Sequence, residues 1–294
     1  MKIGIIGGGS IGLLFAYFLQ KKHEVTVYTR TEEQKTNLLL NGLLLSEGDQ
    51  VYQSGLRVKT IKEWTCEDGL TIITVKQYQL HEVIQIISNQ SKSAFSSFLF
   101  LQNGMGHVKW LEELEAENIY VGSVEHGAYR VSGNHVAFTG HGVTKVAVYR
   151  GDDVLIREII RQEIDRFPFV YEDSYYEMLV SKLIVNAVIN PLTALLKVKN
   201  GELINNPHFN LVFCQLFDEV VDVLKIENRA VYFDLLVNIC RNTAENRSSM
   251  LKDMEENRQT EIDAILGYLI EKSLNDRKKP SLITALYHFV KGSE

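Results

Sequence analysis

Lys182, Asn186 and Asn190 follow one another at steps of four residues. On a helix that spacing stacks the three side chains on one face. Leu183, Ile184, Val185, Val188, Ile189, Leu192, Leu195 and Leu196 fill most of the remaining circumference, the pattern of a helix buried nearly all round. A lysine and two carboxamides in such surroundings need polar partners. Two arrangements meet that need: the groups satisfy one another and nearby backbone inside a core, or they line a cleft and take a polar ligand. The helix alone leaves both open.

A second constellation stands at the other end of the chain. Lys2 to Ile6 is a short apolar run that ends in Gly7-Gly8-Gly9-Ser10-Ile11-Gly12, after which Leu13, Leu14, Ala16, Tyr17, Phe18 and Leu19 continue with helical spacing. Strand, glycine turn and helix in that order suit a dinucleotide. Gly7 makes the tight turn, Gly9 lets the backbone approach a pyrophosphate, and Gly12 allows close packing of helix on strand. The first N–H groups of the helix, at Ser10 and Ile11, add donors and a favourable dipole for phosphate. The alternative is a tight turn with no ligand.

The strand Glu24 to Thr29 leads to Arg30, about 20 residues beyond the glycines, where an acid grips the ribose of NAD and an arginine accommodates the 2′-phosphate of NADP. The expected cofactor is NADP(H), with a solvated surface arginine as the alternative. The β-branched run Leu70 to Val75 reads as a strand inside a parallel sheet and stops at Lys76, at the edge where such sheets bind ligands. Lys76 is therefore a candidate phosphate contact or an ordinary strand-end lysine. Phe98 to Leu101 leads into Gln102-Asn103-Gly104-Met105-Gly106, which puts Asn103 at a carboxyl strand end before glycines that let the chain pass close to a ligand. A plain Asn-Gly turn is the other reading.

The elements that must position these residues fall into two kinds. Strands and helices alternate up to about residue 172, including an expected hairpin over 43 to 58, an antiparallel pair of 136 to 138 with 143 to 149, a helix over 153 to 166 and a last short strand after Pro168. From there helical period continues to the end. The expectation is a dinucleotide-binding domain over 1–173 and a helical domain over 174–294. Ser174 and Glu177 form a capping box for the long helix; Pro191 interrupts its backbone bonds, and Asn200-Gly201 is expected to end it with a left-handed cap. Further helices are expected over 207 to 226, from 230 into the polar stretch 242 to 250, from Glu261 onward, and over 281 to 290. A carboxylate in the position of Glu261 ordinarily complements a helix dipole. His126 reads as structural.

With 294 residues, 45% apolar and 23% charged, the chain has the composition of an ordinary globular protein. A net charge of -6 without long single-sign blocks offers no footprint for nucleic acid or an anionic membrane. No signal peptide and no apolar run of membrane-spanning length is expected. Cys66, Cys214 and Cys240 are odd in number and widely spaced, which reads as reduced thiols of a cytoplasmic protein rather than a disulfide frame or metal site.

Taken together, QNGMG at 102 to 106, SKLIVNAVINPLTALLKVKNGEL at 181 to 203, ENRSSMLKD ending at Asp253 and QTEID at 259 to 263 resemble the ketopantoate reductase (2-dehydropantoate 2-reductase) family. With the glycine turn they run in the family's order across nearly the whole chain. The resemblance implies an α/β fold with an N-terminal Rossmann-type domain, followed by an all-α C-terminal domain like that of 6-phosphogluconate dehydrogenase. It implies NADPH-dependent reduction of ketopantoate to (R)-pantoate, on the way to pantothenate and coenzyme A, in a cleft between the domains. Lys182 matches the family's catalytic lysine, and Glu261 the acid beside the reacting carbonyl and the nicotinamide ribose. Asn186, Asn190, Asn200 and Ser249 match residues that hold the substrate, and Asn103 one that touches substrate and cofactor. Arg30 and Lys76 match contacts to the cofactor's phosphate and ribose, and Ala128 a small residue against it; Gly8 belongs to the same turn as Gly7 and Gly9. The implied partner is a small 2-keto acid, with room for a homodimer. One departure is Val180, where many members have tryptophan.

The residue types suit that chemistry. Hydride delivery to a ketone leaves charge on its oxygen, which a positioned cationic acid stabilises and protonates. Lys182 supplies both functions, and partial burial would bring its pKa down from about 10.4 towards working pH. Amides and a hydroxyl bind carboxylate and alcohol groups without adding charge. Another NADP-linked reductase of a different 2-keto acid, and a non-catalytic NADPH sensor, are the alternatives.

Overall fold

A computed structural model of the protein describes residues 1–90, 93–274 and 280–294. Its elements, in chain order, are β1 (Lys2–Ile6), α1 (Ser10–Leu19), β2 (Glu24–Thr29), α2 (Glu32–Asn41), β3 (Leu43–Glu47), β4 (Gln50–Ser54), β5 (Arg57–Thr60), β6 (Leu70–Ile73), α3 (Gln77–Ser88), β7 (Ser97–Phe100), α4 (Val108–Leu111) and β8 (Asn118–Val124). There follow β9 (Gly127–Arg130), β10 (His135–Gly140), β11 (Thr144–Arg150), α5 (Val154–Arg161), β12 (Phe169–Tyr171), α6 (Tyr175–Leu196), α7 (Glu202–Asn205), α8 (Pro207–Leu224), α9 (Arg229–Asn242), α10 (Ser249–Glu255), α11 (Tyr268–Leu274) and α12 (Ser281–Ser293). Contacts divide the chain into two compact units. One is Met1–Gln102 with Lys109–Met178; the other is Asn103–Val108 with Leu179–Glu294.

In the first unit the strands run β12-β11-β8-β7-β6-β1-β2-β5. From β5 to β8 every pairing is parallel, so the order β5-β2-β1-β6-β7-β8 is that of the doubly wound dinucleotide-binding sheet, with its reversal point between β1 and β6. The buried runs at β6 and β7, without polar alternation, are what a sheet covered on both faces demands. A ring cluster fills the space beside α1: Phe18 stacks on Phe167 at 4.6 Å between centroids, and Phe15 meets the same ring edge-on at 4.9 Å. Each such buried ring contributes roughly 1.5–3 kcal/mol through burial alone.

A smaller sheet, β4-β3-β10-β9, stands in the same unit. The expected hairpin is present over 43–54 as β3 and β4, paired antiparallel through Gly48-Asp49, but Val58, expected in it, lies on β5 and pairs with β2 in the large sheet. The expected pairing of 136–138 with 143–149 is not present. β10 pairs with β9 and β3 in the small sheet, whereas β11 joins β8 and β12 in the large one. Gly140-His141-Gly142 is thus a crossing between sheets. A Cβ on Gly142 would run into the backbone of Glu125 and His126, which is why the chain needs glycine there. The helix expected over 153–166 stops at Arg161, and left-handed backbone at Glu163 and Arg166 takes the chain on to Pro168.

Most of α6, from Leu179 onward, belongs to the second unit. The helix contains an 18-residue window of mean hydropathy 1.7, long and apolar enough by length and composition to cross a membrane although Lys182, Asn186 and Asn190 interrupt its apolar run; 67% of that window is buried within the protein, as in a core helix. Ser174 Oγ accepts from the Glu177 N–H at 3.2 Å, the first half of the expected cap. The helix ends five residues short of the expected point. Lys197, not Gly201, takes the left-handed conformation at φ 55°, and Val198 N–H bonds back to the Thr193 carbonyl at 3.2 Å, the closing bond of a Schellman turn. Nor does a helix run on through 242–250. α9 stops at Asn242, and the polar stretch turns to place its Ala244 and Asn246 carbonyls on the N–H groups of Gly201 and Asn200, at 3.1 and 3.0 Å.

Candidate active site

The first unit presents the glycine turn. Gly7 has φ 121°, a region that only glycine enters freely. A Cβ on Gly12 would collide with the Gly7 carbonyl oxygen, whereas one on Gly9 would meet nothing within 4 Å. Gly12 is therefore glycine for packing, and Gly9 leaves open space. Gly9 is also the N-cap of α1 and makes no side-chain cap bond, so among the described residues the N–H groups of Ser10 and Ile11 are not taken by a cap and suit a ligand. These features fit a pyrophosphate. Two side chains that the sequence did not single out hold the turn. The Thr74 hydroxyl lies 3.1 Å from the carbonyl oxygens of both Ile6 and Gly7, and Gln34 Nε2 donates to the Gly8 carbonyl at 2.7 Å.

The other expected cofactor residues lie in the same unit. Arg30 is exposed directly after β2, Lys76 is half-buried at the N-cap of α3, and Ala128 is half-buried on β9 opposite Phe138. His126 stacks on Phe167 at 4.3 Å between ring centroids and its Nδ1 accepts from Gly142 N–H at 3.1 Å. Burial pushes its pKa down to about 4. It is a neutral structural ring.

The second unit gathers side chains instead of backbone. Along α6, Lys182 and Asn186 are half-buried and Asn190 is only 8% exposed. Thr193, one turn on, donates to the Ile189 carbonyl at 2.8 Å and bonds Ser248 Oγ at 2.7 Å. Ser248 caps α10 by accepting from Leu251 N–H at 3.1 Å. This pair ties α6 to the start of α10 and leaves the adjacent Ser249 exposed in its first turn.

Asn200 is 7% exposed. Its Nδ2 donates to Thr243 Oγ1 at 2.9 Å, and Thr243 uses its own hydrogen on the Ile239 carbonyl at 2.6 Å. That relay fixes the amide's orientation, because Thr243 has only an acceptor left to offer. Asn200 Oδ1 is buried, and among the described residues no donor reaches it. A buried acceptor left this way awaits a ligand donor.

Asn103 and Glu261 come together. Asn103 Nδ2 donates to Glu261 Oε2 at 2.9 Å, and Glu261 is 7% exposed, so it is not the solvated dipole partner its position first suggests. Behind it the chain makes a π-helical turn over Asp263–Gly267, a form enriched at functional sites. The loop after Asn103 packs on that turn: Met105 N–H donates to the Ala264 carbonyl at 3.3 Å, and Gly104, at φ 74°, lies so close that a Cβ would strike the same carbonyl. The neighbouring His107 is fully buried. Burial drives its pKa down to about 4 against the opposing charge of Glu261, so it is neutral at pH 7.

Comparison with known proteins fits this geometry. The model of the family described as "Ketopantoate reductase PanE/ApbA" matches residues 3–151, and that of its C-terminal domain matches 175–294. The chain belongs to the ketopantoate reductase family. The 2-dehydropantoate 2-reductase of Bacillus subtilis (strain 168) is 43% identical over 277 residues, 93% of this chain and 91% of that relative. The crystal structure of a probable 2-dehydropantoate 2-reductase from Bacillus subtilis superposes with a TM-score of 0.91 at 40% identity, covering all of both chains. The fold is wider than the family name: a D-mandelate dehydrogenase solved with NADH and anilino(oxo)acetate matches with a TM-score of 0.90 at 22% identity, over 100% of this chain and 98% of that one.

Proposed function

We propose that this chain reduces 2-dehydropantoate to (R)-pantoate with NADPH, as a cytoplasmic enzyme. The observation that carries the reading is the lysine and two amides of α6, on one face of an otherwise apolar helix, in a chain of the ketopantoate reductase family. The buried, donor-seeking Oδ1 of Asn200 supports it, because the substrate's hydroxyl would satisfy that atom.

Gly7 to Gly12 take the cofactor's pyrophosphate through the N–H groups of Ser10 and Ile11, Arg30 takes the 2′-phosphate, and Lys76 and Ala128 border the remainder. The dinucleotide, when bound, supplies the hydride. Asn186, Asn190, Asn200 and Ser249 hold the substrate's carboxylate and hydroxyl, which leaves Lys182 as the cation for the keto oxygen. As charge develops there, Lys182 Nζ stabilises it and gives up a proton. Asn103 holds Glu261, whose carboxylate orients the reacting groups.

The test is the loss of NADPH absorbance on adding ketopantoate to the purified protein, repeated with NADH and with other 2-keto acids. Brisk turnover with NADPH and ketopantoate is expected. Background activity on ketopantoate beside rapid reduction of another keto acid would overturn the substrate, and preference for NADH would overturn the role of Arg30.

A further inference from the structure

The amide of Gln34 sits where three segments of the first unit converge. Its Nε2 donates to the Gly8 carbonyl at 2.7 Å and to the Gly133 carbonyl at 2.9 Å. Both partners are carbonyls and can only accept, so the nitrogen must face them, and both of its hydrogens are used. The backbone N–H of Gln34 is held in turn by Thr31 Oγ1 at 3.2 Å, the cap of α2 one residue after Arg30. One side chain therefore joins the glycine turn, the turn between β9 and β10, and the helix that begins beside Arg30.

The contact also explains a residue that the dinucleotide motif leaves free. In Gly7-Gly8-Gly9 the middle position carries no requirement of its own. Here a Cβ on Gly8 would lie 2.6 Å from Gln34 Nε2 and 2.8 Å from its Cδ and Oε1. A side chain at position 8 would therefore have to displace the Gln34 amide from its present place. By taking the Gly8 carbonyl to one side, Gln34 fixes the peptide that leads into Gly9 and the uncapped N–H groups of α1.

We propose that Gln34 is a positioning residue for the dinucleotide: it holds the glycine turn in its binding shape and at a set distance from the Arg30 end of α2. The inference rests on the cofactor reading given under the proposed function. A turn held by a hydrogen bond from outside the motif is organised before the ligand arrives, which lowers the cost of ordering it on binding. Gln34 touches neither substrate nor hydride, so its loss should weaken binding and leave the chemical step intact.

The test uses the full chain with Gln34→Leu and the isosteric Gln34→Glu, whose carboxylate cannot donate to either carbonyl. Three quantities are read: the Kd for NADPH by fluorescence, amide exchange over residues 7–12 in the cofactor-free protein, and kcat with the KM for ketopantoate at saturating NADPH. Both variants lose both donated bonds, to Gly8 and Gly133, and should raise the Kd by about tenfold, the order expected when about 1.4 kcal/mol of hydrogen bonding no longer holds the turn. Both should speed exchange over 7–12 and leave kcat and the KM for ketopantoate within about twofold of wild type. Unchanged Kd and exchange in the variants, beside a wild type that binds NADPH, overturn the role of Gln34 alone. A fall in kcat to match the loss of affinity overturns it as well, since it marks general damage. A wild type that binds neither NADPH nor NADH overturns the cofactor reading and this inference with it.

Discussion

The two units build their sites from different material. Under the proposed function, the groups that meet the ligand in the first unit are backbone N–H groups at the start of α1, shaped by glycines whose missing Cβ atoms make room. In the second they are side chains on α6 and around it, held by bonds between polar groups such as Asn103 with Glu261 and Asn200 with Thr243. A backbone site is damaged chiefly by atoms added at its close-packed glycines, a side-chain site by loss of its polar groups. Substitutions should divide along that line.

The largest effect is expected from Lys182→Ala. Removing a positioned general acid costs about 10²–10⁴ in rate, so kcat should fall by that order while NADPH affinity, measured by fluorescence, stays within about threefold of wild type. Unchanged turnover would remove Lys182 from the chemistry. The converse variant is Gly12→Ala, which drives a methyl group into the Gly7 carbonyl. NADPH binding should be largely lost, with a cost in stability of about 1–3 kcal/mol for the overpacked turn. Near-normal affinity in that variant would show that the turn relaxes without harm and would blur the distinction.

The smallest effect concerns pH and stability. His126 is neutral in the folded protein, with its pKa lowered by burial to about 4 from about 6.5 when unfolded. The unfolded chain then binds more protons between those values, so stability falls as pH drops through that window. His107, lowered in the same direction, acts likewise in the second unit. Gln in place of His126 keeps an acceptor for the Gly142 N–H but does not titrate there. The decline in Tm from pH 6.5 to 4 should be shallower in His126→Gln; an identical slope would assign the loss to other groups.

The same contrast explains what the sequence revealed. The glycine turn was legible because glycine is the only residue that the backbone accepts at Gly7 and Gly12, and the α6 stripe because helical geometry turns a four-residue spacing into a face. Gln34 and Thr74 carried no signal. They act on carbonyls 26 and 67 residues away, and nothing local marks a glutamine or threonine for that task. The polar stretch 243–248 looked like the wet face of a helix because polarity does not distinguish a solvated face from a loop that caps its neighbours. β10 and β11 looked like a hairpin because Gly-His-Gly permits a reversal as readily as a crossing. Glu261 looked like a helix-dipole partner, since the sequence places Asn103 158 residues away from it.

The membership of Asn103–Val108 in the second unit has a practical consequence for dissecting the protein. A fragment starting near residue 174 would contain every helix from α6 onward, yet it would lose the Asn103 donor to Glu261 and the Met105 donor to Ala264. Exchanging C-terminal halves between relatives would likewise join one protein's π-helical turn to another's loop unless residues 103–108 travelled with it. The inheritable module is discontinuous, and a recombination experiment that respects only the linear boundary would sever its smaller piece.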